Sequence, residues 1–462
     1  MERSEGIGGF EGGTNYLASI IRWNIFRWLL YFMKTRKRDM ADFRNELSNK
    51  GGTFISVLSV LSIFLIIKPE AVTSLPWLDN SIDLGVVALF AWYVWEMVNG
   101  RKRASLSFIL LTAYILYTLA VELIETPDVL LGEISSWLRA FLGFNLITDL
   151  LKHDYRSSID GMANCASVML LLDIVTGFWN HATGEDGLNI ISFLGTDVYS
   201  IFIVVPLLAV VVVDAAVNGG AKRGRAVMLF VCCTVQKIVT GAATAGVSLV
   251  ILGLLLLLVR YKPALARIAV KPFNSFSVLI GFTLVFAVFG ATEAFAPFFE
   301  SIGKDVTMNG RTIIWAAAVP EIMRDFIWGH GLLSSVDFIA LMGFNPWEIY
   351  FGHCHNMVLE ILFRGGLIGF LLFSAFIASV FIHVAETDAN DCETPCKDSL
   401  VIVIQAFVFA SCILWITDGY PALAAAYLML ALYKGVESSE CTYSMRSGES
   451  NPAVMQKERG AH

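Results

Sequence analysis

The feature that most constrains this chain is a succession of long apolar runs separated by loops of alternating charge. A bilayer core is spanned by roughly 20 apolar residues in a helix, fewer where the run is marginal. On that measure about twelve spans are expected, near 52–67, 82–98, 106–124, 129–150, 161–181, 196–214, 225–237, 240–259, 273–290, 356–382, 399–417 and 420–434. Lys and Arg gather in every second connection: Lys34 to Arg44, Arg101 to Arg103, Lys152 and Arg156, Lys222 to Arg225, and Arg260 to Lys271. The connections between them carry Asp79, Asp83, Glu125, Asp128, Glu185, Asp186 and Asp197 instead. Positive loops stay on the cytoplasmic side, so the acidic loops are expected outside. The bias weakens only around Asp388, Asp391 and Glu393, which outnumber Lys397. Composition agrees: the 462 residues are 56% hydrophobic and 16% charged, with a mean hydropathy of +0.66, against about a quarter charged in soluble domains. The net charge of −7 gives no reason to expect nucleic acid. Eight scattered cysteines define no disulfide framework.

The expected fold is therefore all-α, a polytopic bundle of about twelve transmembrane helices with one large outer, periplasmic helical loop. Residues 1–50 are expected to be a cytoplasmic segment whose stretch from Tyr16 to Met33 suits an interfacial amphipathic helix. The first apolar run, from about Thr53, follows a long polar and basic stretch and reads as a retained signal anchor. Residues 51–290 and 356–434 form the bundle, 291–355 the loop carrying the site, and 435–462 a disordered cytoplasmic tail. Within the loop, Gly310 to Phe326 reads as an amphipathic helix with Asn309 as its cap and Pro320 as a kink.

Ordered motifs run through and past this loop. Residues 309–315 read Asn-Gly-Arg-Thr-Ile-Ile-Trp, 329–331 Gly-His-Gly, 353–356 His-Cys-His-Asn, and 359–369 Leu-Glu-Ile-Leu-Phe-Arg-Gly-Gly-Leu-Ile-Gly. In order and spacing the set resembles the O-antigen ligase and O-antigen or exopolysaccharide polymerase superfamily of bacterial membrane glycosyltransferases. The resemblance implies a multi-pass protein of the bacterial inner membrane acting on its periplasmic side. Its substrates would be a polyprenyl-diphosphate-linked glycan donor and a glycan or lipid A core acceptor, with no cofactor and no metal.

Such a transfer needs a cation on the departing diphosphate and a base at the attacking hydroxyl. The resemblance assigns Arg311 to the diphosphate, since a guanidinium is permanently charged and forked to match phosphate oxygens. It assigns His355 as base, with His353 as second choice or acceptor-orienting group; imidazole, with a pKa of about 6.5, is largely neutral at pH 7. His330, between two glycines, is expected to shape a turn. Asn356, Glu360 and Arg364 support the site, the last two as an i, i+4 pair on one helix face. Gly365 and Gly369 form a small step for close approach of a neighbouring helix.

One departure concerns a second basic residue that the family carries at the outer start of an earlier span. The matching stretch reads Val235-Gln236-Lys237-Ile238-Val239-Thr240-Gly241, so Lys237 is the nearest cation, although the alignment also allows the position to fall on Val239. Lys237 either grips the diphosphate or is a snorkelling loop lysine. Three successive residues do not easily surround a zinc ion, which argues against a metal at 353–355. Intramembrane Glu133, Arg139, Asp149 and Asp173 are expected to pair between helices or to line a headgroup cleft. The competing function is a transporter of a small anion or lipid-linked saccharide, which would be expected to show an internal repeat with matched broken helices; no convincing repeat is seen.

Overall fold

The computed structural model describes residues 55–100, 102, 104–125, 130–184, 191–297, 310–333, 335–344, 352–381, 395–419 and 424–438. The expected amino-terminal interfacial helix, the cap Asn309 and residues 439–462 lie outside these.

Among the described residues the regular elements are helices, joined by loops that include one isolated bridge between Ile191 and Thr196. The elements are α1 (Ile55–Ile67), α2 (Glu70–Thr73), α3 (Pro76–Val98), α4 (Leu106–Glu125), α5 (Leu130–His153), α6 (Tyr155–Ala182), α7 (Asp197–Asn218) and α8 (Ala221–Val239). They continue with α9 (Ala243–Tyr261), α10 (Pro263–Ala269), α11 (Pro272–Phe282), α12 (Arg311–Arg324), α13 (Ser335–Leu341), α14 (Met357–Phe381), α15 (Pro395–Thr417) and α16 (Ala424–Ser438). Prolines at the first turns of α3, α10 and α11 start those helices where their missing N–H costs nothing. Every expected apolar run is matched by a helix, and α16 continues past residue 434 to Ser438.

The count of twelve spans is not reproduced. Seven described helices are long and apolar enough to cross a membrane, or eight if the bent pair of α10 with the segment Pro272–Val288 is one span. The shortfall has plain causes. Helix α5 carries Glu133, Arg139, Asp149 and Lys152, α8 begins with Lys222, Arg223 and Arg225, and α1 and α16 are short. The chain is a multi-pass membrane protein by its apolar helices.

Helices α7 and α15 are the most deeply buried long elements and pack on each other, with α16 lying against both and against α5. Helix α4 runs along α14, where Gly365 and Gly369 both face the Tyr117 ring; an added Cβ would meet it at 3.6 and 3.4 Å. Lipid offers apolar surface as good as leucine, so such close steps and interhelical polar contacts hold a bundle together. Of the charges expected within the spans, Arg139 pairs with Asp83 at 3.0 Å, Asp149 with Lys102 at 2.7 Å and Asp173 with Lys237 at 3.6 Å, each across elements, while the Glu133 side chain lies outside the described residues; Asp214 also pairs with Arg225 at 2.8 Å.

Helix α14 contains a break. Gly366 sits at φ 56°, and beyond it Leu367 N–H donates to Phe326 O at 2.7 Å rather than up its own helix. The Gly-His-Gly stretch lies against this opening: His330 N–H donates to Phe363 O at 2.8 Å and Gly331 N–H to Arg364 O at 3.0 Å. Tyr117 Oη donates to Trp328 O and Gly365 O at 3.0 and 3.1 Å, tying α4 to both sides of the junction. Any Cβ on Gly366 would fall 2.4 Å from Ile327 O, and one on Gly329 2.5 Å from Arg364 O. The two backbones cross where only glycine fits.

Candidate active site

The site forms where α12, α14 and α15 meet the start of α7. Its scaffold is polar and fully committed. Asn356 caps α14, its Oδ1 accepting from Val358 and Leu359 N–H at 3.0 and 3.1 Å. Its amide then donates to Thr283 Oγ1 and to Ile416 O, both at 3.0 Å, so one side chain joins α14 to the start of the π-helical turn Thr283–Val288 that follows α11 and to the last turn of α15. Glu360, one turn into α14, accepts from Cys354 N–H at 2.8 Å and from Arg364 Nε at 2.5 Å. All three groups are buried, and breaking such a pair from one side costs about 3–5 kcal/mol.

Helix α12 is latched to the same loop. Arg311 and Trp315 stand four residues apart on one face, and Trp315 Nε1 donates to Cys354 O at 3.0 Å. The helix begins after Gly310, in the left-handed region at φ 83°, and runs through Pro320 unbroken. Arg311 is therefore carried to within electrostatic reach of Asp418 and Tyr199, and burial draws its pKa down while Asp418 and Tyr199 oppose that.

Loop 352–356 presents its two imidazoles side by side, ring centres 3.9 Å apart. Both meet one carboxylate. Asp418, immediately after α15, pairs with His353 Nε2 through Oδ1 at 2.8 Å and faces His355 Nδ1 through Oδ2 at 3.3 Å. Gly419 N–H also donates to Oδ1, at 2.9 Å. A carboxylate at a helix C-terminus sits at the negative end of the backbone dipole, so the neighbouring histidines and Arg311 offset an otherwise unfavourable place. His355 is held at φ 47°, a left-handed conformation that costs about 1–3 kcal/mol in a residue bearing a Cβ.

The two histidines titrate apart. Burial pushes the His355 pKa down; its hydrogen-bonding contact with Asp418 opposes that, and the nearby charges of His353 and Arg311 reinforce it. Burial also works against charge on His353, but the hydrogen bond to Asp418 and that carboxylate's charge outweigh it and raise the pKa. Burial alone would raise Asp418; hydrogen bonds from His353 and His355 hold it well below the usual carboxylate range. Two like groups driven in opposite directions is the pattern expected of an acid and base pair. Cys354 between them is fully buried, and burial with the nearby Glu360 pushes its thiol up, so it is held as an inert thiol.

The remaining predicted residues are placed as follows. His330 is turned away from the imidazole pair, Nε2 bonding Glu321 O at 3.0 Å and its ring lying 4.8 Å from Phe363. Lys237 is buried in the bundle, donating to Ser200 Oγ at 2.6 Å beside Asp173. Its position is adjacent to the site rather than remote, because Ser200 follows Tyr199, whose ring centre is 6.3 Å from that of His353. Asp418 and Tyr199 were missed by sequence reasoning. The available signal for Asp418 was a lone acid closing a strongly apolar run on the expected outer side.

His353, His355 and Asp418 also place one ligand atom each within 4.8 Å of one another, which the sequence argument against a 353–355 metal site did not foresee because its third member lies in another helix. In the arrangement just described His353 Nε2 is hydrogen-bonded to Asp418 Oδ1 and His355 Nδ1 faces Oδ2 at 3.3 Å. A divalent ion there would have to replace those contacts.

Residues 226–374 match a family model described as O-antigen ligase. That stretch contains Lys237, Arg311, His330, His353, His355, Asn356, Glu360 and Arg364, and it supports the superfamily resemblance drawn from the motifs. Tyr199 and Asp418 lie outside it. Comparison with curated proteins found no match.

Proposed function

We propose that this member of the O-antigen ligase and polymerase superfamily transfers a polyprenyl-diphosphate-linked glycan to an acceptor sugar hydroxyl at the periplasmic face of the inner membrane. The superfamily match supports a membrane glycosyltransferase of ligase or polymerase type acting on a glycan donor and acceptor. The observation that carries the finer reading is the convergence of Arg311 with the His353–Asp418–His355 cluster.

In this reading His355 is the base. Asp418 faces Nδ1 and orients the ring, Nε2 is the atom that takes the proton of the acceptor hydroxyl, and the depressed pKa keeps the ring neutral at working pH. The freed oxygen attacks the anomeric carbon and forms the new glycosidic bond. The bond from that carbon to the diphosphate oxygen breaks, and its electron pair leaves with the polyprenyl diphosphate. Arg311 faces the charge growing on that leaving group. His353, its pKa raised by Asp418, adds positive charge and fixes the carboxylate that orients His355. The donor's own diphosphate supplies the free energy, as an extracytoplasmic site without ATP requires.

The test is transfer by the purified protein in proteoliposomes supplied with a polyprenyl-diphosphate oligosaccharide, with and without EDTA. Wild type is expected to transfer in EDTA, and His355→Ala and Arg311→Ala to lose transfer while remaining folded. Lengthened lipid-linked chains identify a polymerase; glycosylated core lipid identifies a ligase. Activity in both variants would refute the site, and activity abolished by EDTA and restored by a divalent ion would replace the proton-transfer reading with a metal centre on the same three side chains.

A further inference from the structure

We propose that Tyr199 is the platform on which the acceptor sugar ring stacks beside the imidazole pair. The proposal rests on the glycosyl-transfer reading above and names the surface that would hold the nucleophile in place.

The base needs its hydroxyl within hydrogen-bond reach, and a sugar held by hydroxyl contacts alone can rotate away from it. Most polar groups nearest the imidazoles are already engaged: Asp418 Oδ1 by His353 and Gly419 N–H, Asn356 by α14, Thr283 and α15, and Glu360 by Arg364 and the loop backbone. A pyranose, however, also has an apolar C–H face, and the negative face of an aromatic ring attracts its polarised hydrogens. Tyr199 offers such a face. It is 47% exposed although its neighbour Ser200 is fully buried, and its ring centre lies 6.3 Å from that of His353, tilted by 50°. Arg311, the proposed diphosphate cation, is within electrostatic reach of the same ring. A sugar resting on Tyr199 would thus lie beside the imidazole pair and within electrostatic reach of the proposed diphosphate cation.

The platform is also rigid. Tyr199 stands in the first turn of α7, where Tyr199 N–H and Ser200 N–H both donate to Thr196 O, at 2.9 and 2.8 Å. Ser200 Oγ accepts from buried Lys237, beside Asp173, whose Oδ1 accepts from Leu194 N–H at 2.9 Å in the loop leading into α7. The departure at Lys237 then gains a role: its cation is spent inside the bundle, setting the turn that presents the ring. A tyrosine at the end of a span is also what an interfacial anchor looks like, so the test must separate the two.

Wild type, Tyr199→Phe, Tyr199→Leu and Tyr199→Ala are compared in proteoliposomes, varying the acceptor that turns over with wild type, either the lipid-linked repeat unit or core lipid extracted from cells carrying this protein. His355→Ala runs alongside. Loss of the aromatic face in the Leu and Ala forms is expected to raise acceptor KM about tenfold, with donor KM and the acid limb of the pH profile unmoved and Phe within about twofold of wild type. Unchanged acceptor KM in Leu and Ala while His355→Ala is inactive would overturn the platform and leave the transferase reading standing. A Phe form as impaired as Ala would overturn it too, by assigning the effect to the hydroxyl. Full activity in His355→Ala would overturn the transferase reading and the platform with it. Should the Ala form not fold, the Leu form carries the comparison, and binding of the delipidated oligosaccharide to a Tyr199→Leu, His355→Ala double variant against His355→Ala alone gives the same contrast without turnover: weaker binding supports stacking and equal binding overturns it.

Discussion

His355 combines three unusual properties at one residue: a left-handed backbone, burial, and a neighbouring carboxylate it shares with His353. Its depressed pKa sets the sign of the pH dependence. A base works only when unprotonated, so the rate should fall as pH drops through the His355 pKa, placing the acid limb of kcat/KM below about pH 6.5. Replacing His353 with Gln removes a cation that depresses His355, and the limb should move upward, as a pH titration of transfer would show. Asp418→Asn removes the group that opposes the depression and orients the ring; the limb should shift lower and the rate fall about 10²- to 10⁴-fold. Arg311→Lys keeps charge but loses the fork, and transfer should drop about 10²-fold, with donor rather than acceptor kinetics affected. At this scale the sequence was informative where chemistry was local. Arg311, the two histidines and the Glu360–Arg364 pair lie in short ordered motifs. Asp418 sits 63 residues beyond His355 as a single acid with no motif around it, and only tertiary packing joins the two. Lys237 was visible as a cation but not as a buried one, because the partners Ser200 and Asp173 come from other helices.

At the scale of elements, the broken α14 and its cap decide whether the loop is presented correctly. Gly366→Ala must force a Cβ against the Ile327 carbonyl from an already left-handed backbone, and Gly329→Ala meets Arg364 O in the same way. Each should lower stability by about 1–3 kcal/mol or more, read as a fall in unfolding temperature in detergent. Gly369→Ala, which meets only the Tyr117 ring edge at 3.4 Å, should be far milder. Asn356→Ala loses a helix cap and two interhelical bonds, a loss of about 1–2 kcal/mol for the cap alone. Helix positions were legible because apolar runs of span length have few other fates in lipid. The break in α14 was not. The paired glycines read as a packing step, and the backbone of 326–331 that enters the gap is distant in sequence and carries no strand-like pattern.

For the whole molecule, the bundle places its most basic connections and its imidazole cluster at opposite ends of successive helices. Arg260 and Lys262 close α9 and Lys222 to Arg225 open α8, whereas Lys237, Tyr199, His355 and Asp418 stand at the other ends of α8, α7, α14 and α15. The charge bias that orders the spans therefore also predicts which face the chemistry uses. Sidedness is best read at Arg324, which is 73% exposed at the end of α12; Cys354, fully buried, would stay silent whichever way it faced. The measurement is labelling of Arg324→Cys, with Cys392, Cys396 and Cys441 replaced by Ser, using a membrane-impermeant maleimide on intact cells, and Lys262→Cys as the opposing control. Modification of position 324 without lysis and of position 262 only after it would agree with a site that meets lipid-carried glycans outside the cytoplasm. The reverse pattern would put Arg311 and His355 on the wrong side of the membrane for the proposed reaction.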